Sequence, residues 1–234
     1  MKYFGTDGFR GKVNYTLDAL QAFKVGACLG NALYNKHGKK NVYVGMDTRL
    51  SSSLLEAGVA SGLASMGMDV KLLGVVPTPV VSYITANSDA VGAVMISASH
   101  NPYYDNGIKL FSELGEKMDP DTEEYIERYL DNEFELEWVN GDNLGVIVYD
   151  DENTIHAYMD YLKENLSMDL SGLKIVLDCA NGASVSTAKK AFELFGGEVV
   201  VMNDQPDGYN INTKCGSTHP EQLIEKVLEL KADA

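Results

Sequence analysis

Ser97, Ser99, His100, Asn101 and Asp105 crowd into one short window of the chain, and Lys109 follows ten residues after Ser99. A hydroxyl beside an imidazole, with an amine close by, is the material of nucleophilic and general acid–base chemistry. Neighbouring side chains of an extended segment point to opposite sides, so Ser99 and His100 do not form a hydrolase pair by themselves. No Gly-x-Ser-x-Gly surrounds Ser99, which argues against the nucleophile elbow of an α/β-hydrolase. The same residue types are ordinary turn formers, and the stretch taken alone fits either a nucleophile loop or a simple turn. Arg10 is the second group of interest. Its planar fork suits a pair of phosphate oxygens, while pairing with Asp7 across a surface turn is the plainer use for it. Asp47 and Arg49 allow the same two uses, a salt bridge that shapes a loop or a direct part in catalysis.

The flanks say what would hold these groups. Residues 90–96 are small and β-branched, the pattern of a strand buried on both faces. Pro102 cannot continue a ladder and pushes Asn101 toward an extended conformation. A polar loop therefore leaves the carboxyl end of a buried strand, where open α/β sheets commonly place ligands. Asp105-Asn106-Gly107 predicts a second turn, and residues 108–111 an extended return. Upstream, Leu17, Leu20, Phe23, Ala27 and Tyr34 recur near helical spacing, with Thr16 as N-cap and Gly38 as stop. A strand at 42–45 leads to the Asp47-Thr48-Arg49 loop. A helix with Ser53 and Glu56 as capping box and Leu55, Val59 and Leu63 on one face comes next. A strand at 70–74 and a helix opening at Pro77-Thr78-Pro79 complete a β-α-β-α-β rhythm. That rhythm predicts an α/β fold of three layers, with a mixed, mainly parallel sheet between helices. Asp119-Pro120-Asp121 opens an acidic amphipathic helix that runs to about Leu130.

The domain boundary falls near 148–151, giving one domain over 1–148 and a second over 149–234. The second opens with a helix at about 152–165, then a strand at 174–178, a small-residue loop at 179–184, a helix to about Phe195 and a strand at 198–202. That loop carries neither Gly-x-Gly-x-x-Gly nor a Walker lysine, so it is not a nucleotide cradle. Composition narrows the function further. A formal charge of −15 argues against nucleic acid and anionic membrane surfaces. No apolar run is long enough to span a bilayer, and the first residues lack a signal-peptide core, so the expected location is cytoplasmic. Cys28, Cys179 and Cys215 are odd in number and widely spaced. They fit reduced thiols better than a disulfide frame or zinc site, with Cys215 either a reactive loop thiol or a bystander.

The serine loop, Ser97-Ala98-Ser99-His100-Asn101-Pro102 followed by Tyr103-Tyr104-Asp105-Asn106-Gly107-Ile108-Lys109, resembles the active-site serine loop of the α-D-phosphohexomutases. Within that family the wording is most similar to the branch acting on glucosamine phosphates. Phe4-Gly5-Thr6-Asp7-Gly8-Phe9-Arg10-Gly11, Asp47-Thr48-Arg49-Leu50-Ser51, Pro77-Thr78-Pro79 and Lys214-Cys215-Gly216-Ser217-Thr218-His219-Pro220-Glu221 match further family segments in the same order. Met46 departs from the family, which often has a basic residue before the aspartate.

The resemblance implies that Ser99 is a phosphoserine. It further implies interconversion of glucosamine 6-phosphate and glucosamine 1-phosphate through a sugar bisphosphate intermediate. Arg10 would contact the transferred phosphate, and Lys109 is the first choice of general base. His100 is the second, with shaping the loop by hydrogen bonds as its alternative role. One magnesium ion would be held by the Ser99 phosphate and three aspartates of a loop absent here, and a sugar bisphosphate would activate Ser99. The chain then reads as the amino-terminal half of a four-domain enzyme, its second domain incomplete and the piece inactive alone. A homodimer is compatible with this reading. The alternatives are a phosphomannomutase or phosphoglucomutase, or a non-catalytic two-domain module that binds phosphosugars.

Overall fold

The computed structural model describes residues 2–150 and 153–234. Strands β1 (Phe4–Gly5) and β2 (Gly8–Lys12) make an antiparallel hairpin that lies at one edge of the first sheet. Helix α1 (Ala19–His37), β3 (Asn41–Met46), α2 (Ser52–Ser65), β4 (Asp69–Val75), α3 (Thr78–Ala86) and β5 (Gly92–Ile96) follow in alternation. Strand β6 (Asp105–Ser112), helix α4 (Pro120–Leu130) and β7 (Ile147–Tyr149) complete this part, and the sheet order is β1-β2-β6-β5-β3-β4-β7. Pairs β3–β4, β3–β5 and β4–β7 are parallel, while β1–β2, β2–β6 and β5–β6 are antiparallel. The α/β expectation is met with a sheet that is evenly mixed.

Alternation along the central strands builds two cores. On β5, Val94 and Ile96 face the α1, α2 and α4 side, where Leu29, Leu55, Leu63 and Ile126 pack. Ala93 and Met95 face the other side, against Val80 and Val81 of α3, with Tyr158 packed alongside. Successive side chains of a strand point to opposite faces, so one apolar run serves both layers. Helix α4 also anchors the amino terminus. The Glu127 carboxylate accepts the backbone N–H groups of Lys2, Tyr3 and Phe4 at 2.6–2.8 Å. Burial alone would raise its pKa, but those three donors outweigh it and hold the carboxyl below the usual range.

The second part begins with α5 (Asn153–Asn165), which lies against α3 through Tyr158 and Tyr161 around Tyr83. Strands β8 (Lys174–Asp178) and β9 (Glu198–Met202) pair in parallel as a separate sheet, with helices α6 (Ala188–Glu193) and α7 (Glu221–Leu230) in the intervening and following chain. The last residues bond along the free edge of β8, Asp233 N–H to the Lys174 carbonyl and Val176 N–H to the Ala234 carbonyl, both at 2.8 Å.

Several local expectations change. The α1 N-cap is Asp18, which forms a capping box with Gln21, whereas Thr16 bonds the Lys12 backbone. Leu20 is exposed rather than buried. Helix α2 is capped by Ser51 without a side-chain bond, and Glu56 is buried instead of reaching back to a cap. Asp105-Asn106-Gly107 is not a turn. These residues are the first of β6, paired with Lys12, Gly11 and Arg10. A local dipeptide signal yields here to a ladder formed with a strand ninety residues earlier. Residues 4–12 form a β-hairpin, with Asp7 in the turn between its strands. Gly38 does end α1, with a positive φ of 71°, and Asp119 caps α4 by accepting the Thr122 N–H at 2.8 Å. Part of the expected boundary, Asp151, and the expected helix start at residue 152 lie outside the described residues.

Candidate active site

Strand β5 gives out at Ile96, and the next four residues set the serine. Ser97 is buried, and its hydroxyl accepts the Ser99 N–H at 3.0 Å. Ser99 then turns into the left-handed region at φ +56°, with its side chain in solvent. For a residue other than glycine that backbone costs about 1–2 kcal/mol, and surrounding bonds must offset it.

The guanidinium of Arg49 supplies most of them. Its side chain has no solvent exposure and pairs with Asp47 at 2.9 Å. Its Nε donates to the Asp105 carbonyl at 2.8 Å, and Nη2 donates to the carbonyls of Ser99 at 3.1 Å and Asn101 at 2.7 Å. Asp47 is held in turn by the Ser52 hydroxyl at 2.9 Å and its own bond to the Arg49 N–H. Asn106, fully buried on β6, donates to the hydroxyls of Ser51 and Ser52. The Asp47–Arg49 pair thus shapes the serine loop. A buried fork with all three nitrogens bonded defines a loop far better than a surface pair does.

Arg10 and Lys109 stand on the same face of the sheet, on β2 and β6. Two glycines make room for their stems. A Cβ on Gly107 would sit 2.9 Å from Arg10 Cγ, and one on Gly8 would sit 3.1 Å from Lys109 Cγ. Arg10 reaches Asp7 at 3.5 Å, yet its Nε is buried without a hydrogen-bond partner among the described residues. Burial, and then the Arg10 guanidinium, lower the Lys109 pKa, with Asp7 and Asp47 opposing. An amine depressed in this way loses its proton more readily than an ordinary lysine.

His100 is exposed and makes no hydrogen bond among the described residues. Arg49, Ser97 and a residue of the second part hold the loop instead. His219 is exposed, and Cys215 is buried, with burial and then Asp178 raising its pKa, as befits an inert thiol. Among the described residues no three His, Cys, Asp or Glu side chains gather to hold a metal ion, and both Asp47 oxygens are already committed to Arg49 and Ser52. The described residues do not by themselves make a magnesium site. No described helix is long and apolar enough to cross a membrane.

The second part meets this loop directly. Asp178, at the end of β8, accepts the N–H groups of Ala180 and Gly216 and the Asn203 amide, at 2.7–2.9 Å. Around it Ala180, Asn181, Asn203, Asn212 and Lys214 all take positive φ. The folded-back loops touch the first part at several places. Thr48 donates its hydroxyl to the Asn181 carbonyl, Leu50 N–H bonds the Gly208 carbonyl at 3.0 Å, and the rings of Tyr103 and Tyr209 meet edge-on at 5.5 Å. Asn212 also donates to the Ser99 carbonyl at 2.9 Å and the Asn101 carbonyl at 3.1 Å. Ser52, Asn106 and Asn212 escaped sequence reasoning. Asn106 lies in the serine-loop wording but read as a turn residue, and nothing local marks Asn212.

A three-layer α/β/α unit with a strained, exposed serine at the strand ends, faced by a second α/β part, is the class that fold and site define. Comparison with known proteins narrows it. The description "Phosphoglucomutase/phosphomannomutase, alpha/beta/alpha domain I" matches residues 1–137. The phosphoglucosamine mutase of Clostridioides difficile is 47% identical over 233 residues, which is 99% of this chain and 52% of the relative. The phosphoglucosamine mutase of Desulforamulus reducens is 45% identical with the same coverage. A solved phosphoglucomutase/phosphomannomutase family protein from Burkholderia thailandensis superposes with a TM-score of 0.80 at 28% identity, over 98% of this chain and 50% of that one. The chain belongs to the phosphoglucomutase/phosphomannomutase family of α-D-phosphohexomutases. It spans about half the length of the curated relatives it matches.

Proposed function

We propose that this chain carries the phosphoserine lobe of an enzyme that interconverts glucosamine 6-phosphate and glucosamine 1-phosphate. The observation that carries the reading is Ser99 itself, exposed at the end of a fully buried strand and locked at φ +56° where two α/β parts meet. Two relatives named phosphoglucosamine mutase, matching nearly the whole chain, favour glucosamine over other hexoses. We take the first domain as residues 1–148, which hold all of the first sheet but the last residue of β7, and the second as 149–234, built on β8 and β9.

In this reading the phosphoryl group on Ser99 Oγ passes to a sugar hydroxyl. The O–P bond to Ser99 breaks as the bond to the sugar oxygen forms, and a bisphosphate results. After the bisphosphate turns over, its other phosphoryl group returns to Ser99. Phosphoryl transfer asks mainly for alignment and charge neutralisation. Arg10, with its unpartnered Nε, meets the phosphate oxygens. Lys109 takes the proton of the attacking sugar hydroxyl and hands it to the departing Ser99 Oγ; on the return step it takes the Ser99 proton and hands it to the departing sugar oxygen. Magnesium, bound with ligands beyond this chain, would neutralise charge on the phosphate. A sugar bisphosphate primes Ser99, and a cytoplasmic setting keeps the three unpaired cysteines reduced.

The test is Ser99→Ala in a chain of the relatives' full length, incubated with a sugar bisphosphate labelled in its phosphates. Labelling of the wild type at Ser99 and none of the variant is expected, together with loss of mutase turnover. Retained labelling with full activity overturns the assignment.

A further inference from the structure

The carbonyl oxygens of Ser99 and Asn101 each accept two donors, and the same two side chains supply them. One is Arg49 of the first part, the other Asn212 of the second. Arg49 is buried with its Asp47 counter-ion and is bound to the first domain whatever the second does. Asn212 is different. It rides on the loop after β9, and its backbone is fixed at φ +57° by its N–H bond to the Ala180 carbonyl at 2.9 Å. Ala180 in turn hangs on Asp178, the residue that gathers the loops above β8. One unbroken set of hydrogen bonds therefore joins the β8 end of the second part to the backbone on either side of His100.

We propose that Asn212 is a positioning residue for Ser99, through which the placement of the second part sets how rigidly the nucleophile loop is held. This rests on the phosphoserine reading above. Ser99 sits in a left-handed conformation that relaxes readily once its carbonyl is released. Arg49 alone leaves each carbonyl with one donor from a shared Nη2, so the Asn212 amide completes the cage. Withdrawing the second part removes that pair of bonds without disturbing the buried Asp47–Arg49 core. The loop's order is thus tied to closure between the two parts, and the tie runs through one neutral amide.

Two variants separate donor from backbone. Asn212→Gly keeps the left-handed backbone at least as comfortable and removes the amide. Asn212→Asp keeps the size and turns the donor into an acceptor facing two carbonyls. In the 234-residue chain, amide hydrogen exchange over residues 96–105 is expected to speed up roughly tenfold in both variants, the size of one net hydrogen bond at about 1.4 kcal/mol. Exchange in β3 and β5 should stay as in wild type, showing that both variants fold. In a chain of the relatives' full length, kcat should fall roughly tenfold with KM little changed. Asn212→Gln, which retains the amide on a longer stem, should recover part of the loss. Unchanged exchange over 96–105 in both variants, or a change confined to KM, overturns the proposal. Faster exchange with no labelling of wild-type Ser99 would leave the latch standing and sink the phosphoserine reading, so the two failures are distinct.

Discussion

Glu56 offers a test that reads the physics of this fold without any assay of function. It lies on α2 one turn after Ser52, only 6% exposed, and its Oε1 finds no hydrogen-bond partner among the described residues. Burial pushes its carboxyl from the ordinary 4.5 up to about 7. The folded protein therefore keeps a proton on Glu56 over a range where the unfolded chain has lost it. That contribution to stability is fully present below about 4.5 and is lost as pH rises through about 7. At ~1.4 kcal/mol per pH unit, the whole window is worth roughly 3 kcal/mol. Glu56→Gln cannot ionise, so it should lack this loss while keeping the size of the side chain. Urea unfolding of both proteins from pH 4.5 to 8.5 gives the test. The variant's advantage over wild type should grow by roughly 3 kcal/mol across the range, equivalent to about 6–12 °C in Tm for a chain of this length. Any fixed cost of burying the amide displaces the whole difference curve without changing its shape. Parallel curves across pH would refute the reasoning and place Glu56 in contact with water or an unseen partner.

Arg49→Lys keeps the charge beside Asp47 but loses the fork, leaving the carbonyls of Ser99, Asn101 and Asp105 short of donors. At about 1–3 kcal/mol for a buried group left unpaired, and with Asn212 still donating to the carbonyls of Ser99 and Asn101, the protein should lose about 1–3 kcal/mol in urea unfolding, with faster exchange over residues 96–105. A stability equal to wild type would show that the fork does not shape the loop. For Lys109, kcat/KM of a full-length chain should rise with pH as the amine deprotonates, with a midpoint below 10.5 because burial and Arg10 destabilise the ammonium form. Lys109→Arg retains the charge but cannot give up its proton near neutral pH. It should be as inactive as Lys109→Met, and an active arginine variant would reduce Lys109 to an electrostatic role.

Some of this protein was legible before any fold was drawn. The apolar run before Ser97, the abrupt change to polar residues and Pro102 locate a strand end and a loop, because burial and ladder bonding act on the residues that carry them. Gly38 and Asp119 likewise mark helix limits through bonds made within one turn. Motif wording named Ser99, Arg10 and Lys109 as the groups to watch. Tertiary structure alone decided the rest. Asp105-Asn106-Gly107 became strand because β2 lies beside it, and Glu56 left its cap because the core took it in. Arg49 was a clamp or a catalytic group until its carbonyl partners, fifty or more residues ahead, came into place. Asn212 acquired its part only when a second sheet set it against the serine loop. A local signal reports a residue's own conformational preference, whereas these assignments depend on which distant backbone groups were left needing a donor.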